Sequence, residues 1–231
     1  MQDLTVYLLK DFFENTLSLQ SNAKEVVFND PNSTITVCNI FSLRAGSIVL
    51  IDNVAYTVIS VNHSDESFVV EGDLTGAMLI EVPNPFFLWG TPIQANTELS
   101  YKRQDKYPFI YLKEIIRETV FSELSGLNRE ASVNLFFLDE MNKSDYHTRE
   151  FYSEVLIGLN KLVDEVIRQL RLDISNFHLI DTSFSLTNHS DFGLNIINTK
   201  GHVKALFSDN LSAVELSFVL PIKRGCKLCN C

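Results

Sequence analysis

Three groups of side chains in this 231-residue chain have types and spacings that could do chemistry. The densest is Cys226-x-x-Cys229-x-Cys231, at the C-terminal end. Three thiolates so spaced could hold a tetrahedral Zn²⁺ if Cys38, a histidine or a partner chain supplied the fourth ligand. Structural zinc sites usually pair two such knuckles across a fold, and here there is one half-site. The basic neighbours Lys223, Arg224 and Lys227 favour the thiolate form and hence reactivity or crosslinking. A reduced surface tail, a metal site and a disulfide all remain open, with the tail preferred. The second group is Asp139-Glu140, which closes the apolar run SVNLFFLD. Paired carboxylates can act as acid and base, but carboxylates at a strand exit are ordinarily solvated, and no motif pairs with these. The third is the histidines, His63, His147, His178, His189 and His202, which do not cluster at ligand spacing. No phosphate-cradling glycine loop followed by Lys-Ser/Thr occurs, nor a Gly-x-Ser-x-Gly elbow. The expectation is a protein with no catalytic residues, no cofactor and no enzymatic activity.

Charge narrows the partners. The 29 acidic and 19 basic residues leave a net charge of −10, with 45% apolar and 21% charged residues. That balance argues against a protein that grips nucleic acid, since affinity there comes from Lys and Arg releasing phosphate counterions. The N-terminal stretch MQDLTVYLLKDFFENTLS carries acidic residues where a secretory signal has a basic region and an unbroken apolar core. No apolar run approaches the roughly 20 residues a membrane-spanning helix needs. Cysteines are not spread as in a disulfide framework, so a reducing cytoplasm is the expected site of synthesis.

The elements that must position these groups change character along the chain. Leu4, Leu8 and Phe12 recur at helical spacing, predicting an N-terminal helix within residues 1–22. Residues 23–82 switch to β-branched, alternating segments (EVVF, STITVCNI, GSIVLIDNVAYTV) broken by polar turns. Asp52-Asn53 separates strands Ile48–Ile51 and Ala55–Val61, and His63–Ser67 turns into Phe68–Glu71. Such short, closely spaced strands predict a small β-barrel, and the hairpin pattern resembles SH3-like barrels. Residues 83–106 hold Pro83, Pro85 and Pro92, read as excluding a regular helix or central strand and so predicting an extended arm or linker. Phe86, Phe87 and Trp89 within it are unusual for a linker. Either they fold back to plug the chain's own core, or they dock on a neighbouring subunit. Residues 107–222 predict an α+β domain: a helix over Phe109, Leu112, Ile116 and Val120, then a doubly covered central strand Ser132–Asp139. A long helix Thr148–Leu170 follows, then strands His178–Leu186, Gly201–Ser208 and Val214–Pro221. Gly158 inside the long helix points to a close packing contact. Residues 223–231 form the cysteine-rich tail.

The phrases YPFIYLKEIIRETV, NREASVNLFFLDEMNKSDYHTREFYSEVLIGLNKLVDEVI and DNLSAVELSFVLPI, with the cysteine-rich end, resemble a virion protein of crAss-like and related bacteriophages. Their layout is similar to phage tail-terminator and tail-completion proteins over Tyr107 to Ile222. The resemblance implies a small SH3-like barrel joined to a tail-terminator-like domain with helices on a mainly antiparallel sheet. It implies a structural virion protein that forms a homo-oligomeric ring in the neck or tail, on the order of six or twelve copies. Such a ring is assembled in the host cytoplasm, contacts adjacent ring proteins or a portal adaptor, and passes DNA through an acidic conduit without binding it. Phe86, Phe87 and Trp89 are then candidate inter-subunit contacts. The alternative is an intracellular metal- or ligand-binding protein that uses the barrel groove or Cys226, Cys229 and Cys231.

Overall fold

The computed structural model describes residues 4–41, 43–101, 106–114, 116–120, 127–140, 149–177, 179, 182–192, 196–197, 203–204, 207 and 210–223. The chain divides into two compact units that interleave in sequence. One comprises Ser18–Asn84 with Ser144–Leu162, the other Met1–Leu17, Pro85–Lys143 and Val163–Cys231.

The first unit is a closed six-stranded antiparallel barrel. Its strands are β1 (Leu19–Asn29), β2 (Asn32–Val37), β3 (Ile48–Ile51), β4 (Val54–Asn62), β5 (Ser67–Glu71) and β6 (Leu79–Val82), arranged β1-β2-β5-β4-β3-β6. Strands β3, β4 and β5 are hairpin neighbours, and β6 returns beside β3, which is Greek-key order. Alternation sends Ile35, Val49, Phe68, Val70 and Ile80 inward, each at most 1% exposed. Closure leaves none of these strands as a sheet edge. The β3–β4 turn is made as expected by Asp52 and Asn53, both at positive φ (47° and 69°), as a two-residue hairpin requires. Asp52 also ties the turn to β6, its carboxylate accepting the Leu79 N–H at 3.0 Å. Ser33 is buried inside without penalty, donating to the Gly72 carbonyl (2.6 Å) and accepting from Leu74 N–H (3.0 Å).

The second unit is a mixed sheet with helices packed on it. Its strands are β7 (Phe86–Gly90), β8 (Phe109–Lys113), β9 (Arg117–Val120), β10 (Leu127–Glu140), β11 (Phe184–Phe192) and β14 (Leu211–Lys223), in order β11-β14-β10-β8-β7 with β9 on β10. A short ladder, β12 (Ile196–Ile197) with β13 (Val203–Lys204), stands apart. All pairings in the sheet are antiparallel except β7 with β8. The helices are α1 (Leu4–Asp11, continued by a π-helical turn Phe12–Thr16), α2 (Pro92–Tyr101) and α3 (Arg149–Leu172). The first part of α3 belongs with the barrel and its last part with the sheet.

Strand β10 is central and apolar on both sides, as its sequence predicts. Phe136 and Leu138 pair with Tyr111 and Phe109 on one face, where Ala95 and Leu99 of α2 join the cluster. Leu135 and Phe137 pair with Leu112 and Ile110 on the other face.

Four elements depart from the sequence expectation. Residues 109–120 form two strands, not a helix. Phe109, Ile110, Tyr111 and Leu112 are each at most 1% exposed, and a run buried on both faces carries no period that separates helix from strand. Residues 83–106 are not an extended arm, because they contain β7 and α2. Pro92 opens α2, where a missing N–H costs nothing. Thr91 and Gln94 make a reciprocal cap: Thr91 N–H donates to Gln94 Oε1 (2.9 Å) and Gln94 N–H to Thr91 Oγ1 (3.4 Å). Gly90 precedes the cap at φ +120°, where an added Cβ would sit 3.0 Å from Gln94 Oε1. Strand β1 begins at Leu19, inside the stretch assigned to the N-terminal helix, because Leu19 and Ser21 alternate inward opposite β6. Finally, β11 runs Phe184–Phe192 rather than from His178, pairing Ser185 with Ser217 and Thr187 with Glu215.

Candidate functional site

The aromatic segment of β7 is split by strand alternation. Phe86 turns toward the α2 face and packs partly buried against the Leu88–Tyr111–Phe136 cluster. Phe87, 3% exposed, lies on the opposite face and stacks on Phe13 at 4.8 Å and on Trp89 at 5.9 Å. The Lys10 ammonium sits 5.0 Å above the Trp89 ring. An aromatic pair of this kind adds about 0.5–1.5 kcal/mol beyond its burial. Phe87 is thus committed to the chain's own core, and Trp89 is half-buried beneath a lysine.

Asp139 lies at the end of β10, 7% exposed, and one of its oxygens accepts the N–H of Glu140 at 2.7 Å. His189 on β11 meets Glu215 on β14, Nε2 to Oε2 at 2.8 Å, with the Phe136 and Phe192 rings flanking its imidazole at 6.2 and 5.7 Å. Cys38 is an exposed free thiol. Cys226, Cys229, Cys231, His147, His178 and His202 lie outside the described residues. Among the described residues no group of three or more His, Cys, Asp and Glu side chains could hold a metal.

Among the described residues, one polar constellation is presented by the sequence only in pieces. The turn between β4 and β5 is closed by Asn62, whose Oδ1 accepts N–H bonds from Ser64 (3.1 Å) and Asp65 (3.2 Å). This fold presents His63 and Glu66 to α3. Glu66 bridges two cations, Lys161 of α3 at 2.8 Å and Lys24 of β1 at 3.1 Å. The Lys161 hydrogen bond is the chief reason the Glu66 carboxyl stays below the ordinary carboxylate value, and Lys24 adds to it. Gly158 makes room for the turn: a Cβ there would meet His63 Cε1 and the Phe41 carbonyl oxygen, each at 3.2 Å. His63 Nδ1 is buried and has no hydrogen-bond partner among the described residues. Burial pushes the imidazole below its usual value and the Lys161 charge pushes it further, so His63 is neutral at neutral pH. On this geometry the cluster braces a helix against a turn. Gly158 and the His63 turn were each visible in the sequence, but their juxtaposition was not.

Two surfaces complete the description. An open groove of about 340 Å³ crosses β10, β14 and β11, lined by uncharged residues that include Ser132, Asn134, Ser185 and Ser217. On the barrel, Ile48 is 48% and Ile59 49% exposed, beside buried Val49 and Val58, while Val54 and Met78 reach 54% and 73%. Outward positions that usually carry polar groups are apolar here.

Compared with protein families and with curated proteins, the chain matches none. No described helix is long and apolar enough to cross a membrane.

Proposed function

We propose that this chain is a structural virion protein of a bacteriophage, one copy in a homo-oligomeric ring of the neck or tail that joins portal-side proteins to the tail. In this reading the barrel is the SH3-like part and the helix-and-sheet unit the tail-terminator-like part. The observation that carries it is the barrel's outer wall, where Ile48, Val54 and Ile59 stand exposed on strands whose inward positions are already filled, with exposed Met78 just before β6. Exposed apolar side chains favour a protein contact where they adjoin one another. The net charge of −10 adds a second support, since an acidic conduit lets DNA slide past without ion pairing.

The ring needs two different, complementary faces on each subunit. Electron microscopy of the purified protein and of particles tests the reading directly. Closed rings, or density for the chain in the neck or tail, are expected, and Ile48→Asp combined with Met78→Asp abolishes them without unfolding the barrel. A strict monomer that never enters particles overturns the proposal.

A further inference from the structure

His63 lays one edge of its ring against α3. A Cβ added to Gly158 would stand 3.2 Å from its Cε1 and 3.5 Å from its Nδ1, and Nδ1 itself is buried without a partner among the described residues. A neutral ring fits this seat with its hydrogen on Nε2 and a bare Nδ1. A protonated ring does not. It carries a second N–H, at Nδ1, where solvent does not reach and no acceptor waits, and it brings a charge into a half-dry contact.

The charges around the ring give little relief. On its own turn, Glu66 already holds Lys161 through Oε1 at 2.8 Å and Lys24 through Oε2 at 3.1 Å. Asp65 is exposed and accepts from Asn62 Nδ2 at 2.6 Å. On β1, exposed Glu25 follows Lys24, and the loop that carries Phe41 brings the cation Arg44. On α3, Lys161 lies three residues beyond Gly158, and its charge opposes a proton on the imidazole. Glu154, one turn before Gly158, has its side chain outside the described residues. Two ammonium groups therefore share the Glu66 carboxylate before His63 gains any charge.

We propose that His63 is a proton-operated latch: when its imidazole takes up a proton, the β4–β5 turn parts from α3 at Gly158, and the barrel-side half of the helix loosens while the barrel stays closed. The helix yields because the turn is held from within. Its strands pair from Val58 with Val70 to Asn62 with Ser67, and Asn62 closes it with two N–H bonds. What ties the turn to α3 is a steric seat and a partly exposed ion pair, and such contacts open at lower cost than a closed ladder. The latch lies within one copy, so it stands whether or not rings form.

Hydrogen exchange of the full-length protein, read as protection factors at pH 7.5 and pH 5.5, tests it. An open form that protonates near the ordinary 6.5, facing a closed form that resists, lowers protection by up to about tenfold across that range. Amides of residues 155–162 should show this loss while those of β2 and β5 keep their protection. His63→Gln, neutral at both pH values, should abolish the loss. Lys161→Gln removes the opposing cation and frees a Glu66 oxygen, and should cut the loss to about threefold or less. No loss in the wild type, an equal loss in His63→Gln, or a loss that extends to β2 and β5 overturns the proposal. If circular dichroism at pH 7.5 shows His63→Gln unfolded, an undiminished loss in Lys161→Gln overturns it alone.

Discussion

Replacing Gly158 with alanine sets two known effects against each other at one atom. In an open helix the change stabilises by about 1 kcal/mol, because glycine loses more backbone freedom on folding and alanine loses least. Here the new methyl would lie 3.2 Å from both the Phe41 carbonyl oxygen and His63 Cε1. The sign depends on whether those neighbours can give way. Phe41 cannot easily do so: it is 1% exposed, sits at φ 49° where a bulky residue is an outlier, and has its N–H bonded to Asn39 Oδ1 at 2.7 Å. Its loop is tied again one residue earlier, where the Ile40 carbonyl accepts the Leu43 N–H at 3.0 Å. Forcing a methyl into such a contact costs about 1–3 kcal/mol, so the net outcome is a destabilisation of about 1 kcal/mol. Urea unfolding followed by circular dichroism measures it, and Gly158→Val, with two more methyls, should lose at least about 2 kcal/mol. If Gly158→Ala instead stabilised the protein by about 1 kcal/mol, the close seat of the helix on the Phe41 loop would be wrong.

Other outcomes follow from the same geometry. The folded-state pKa of His63 lies below the ordinary 6.5, so its neutral form contributes stability fully above that value, and this is lost as pH falls through 6.5 toward the folded value. The difference in unfolding free energy between wild type and His63→Asn should therefore shrink below pH 6.5, and parallel curves from pH 5 to pH 8 would contradict the buried placement of the ring. Thr91→Ala removes the cap of α2, the helix that lays Ala95 and Leu99 on the sheet cluster, and should cost about 1 kcal/mol in the same urea assay. An unchanged midpoint would mean that Gln94 does not depend on Thr91.

The parts legible in the sequence are those where a local rule and the tertiary environment agree. Asp52-Asn53 asks for a tight hairpin whatever surrounds it, and the barrel's strands alternate because one side of each faces its core. The helical period puts Tyr152, Val155, Leu159, Leu162, Val166 and Leu170 on one stripe of α3; the last four are fully buried and Val155 half-buried, while the Tyr152 side chain lies outside the described residues. Legibility failed where burial erased the period, as in Phe109–Leu112, and where one residue's punctuation had two meanings. Pro92 bars a helix interior but favours a first turn, and the Thr91–Gln94 capping pair was the signal that decides between them. The His63–Glu66–Lys161–Gly158 arrangement could not be read at all, since residues nearly a hundred positions apart in the chain meet only after folding.

By itself the sequence determined the chemical temper of this protein and its local grammar: an acidic chain, a β-rich front segment, a central strand apolar on both faces and one long amphipathic helix. These follow from side-chain type and period, which need no knowledge of distant residues. The tertiary structure alone decided that the barrel closes with β2 beside β5, that β7 runs parallel to β8, and that Phe86 and Phe87 face opposite sides of one sheet. The physical reason is that strand pairing is a long-range choice. A segment's own residues state that it needs a partner and a buried face, and only the competition among all segments for backbone hydrogen bonds and apolar cover selects which partner it receives.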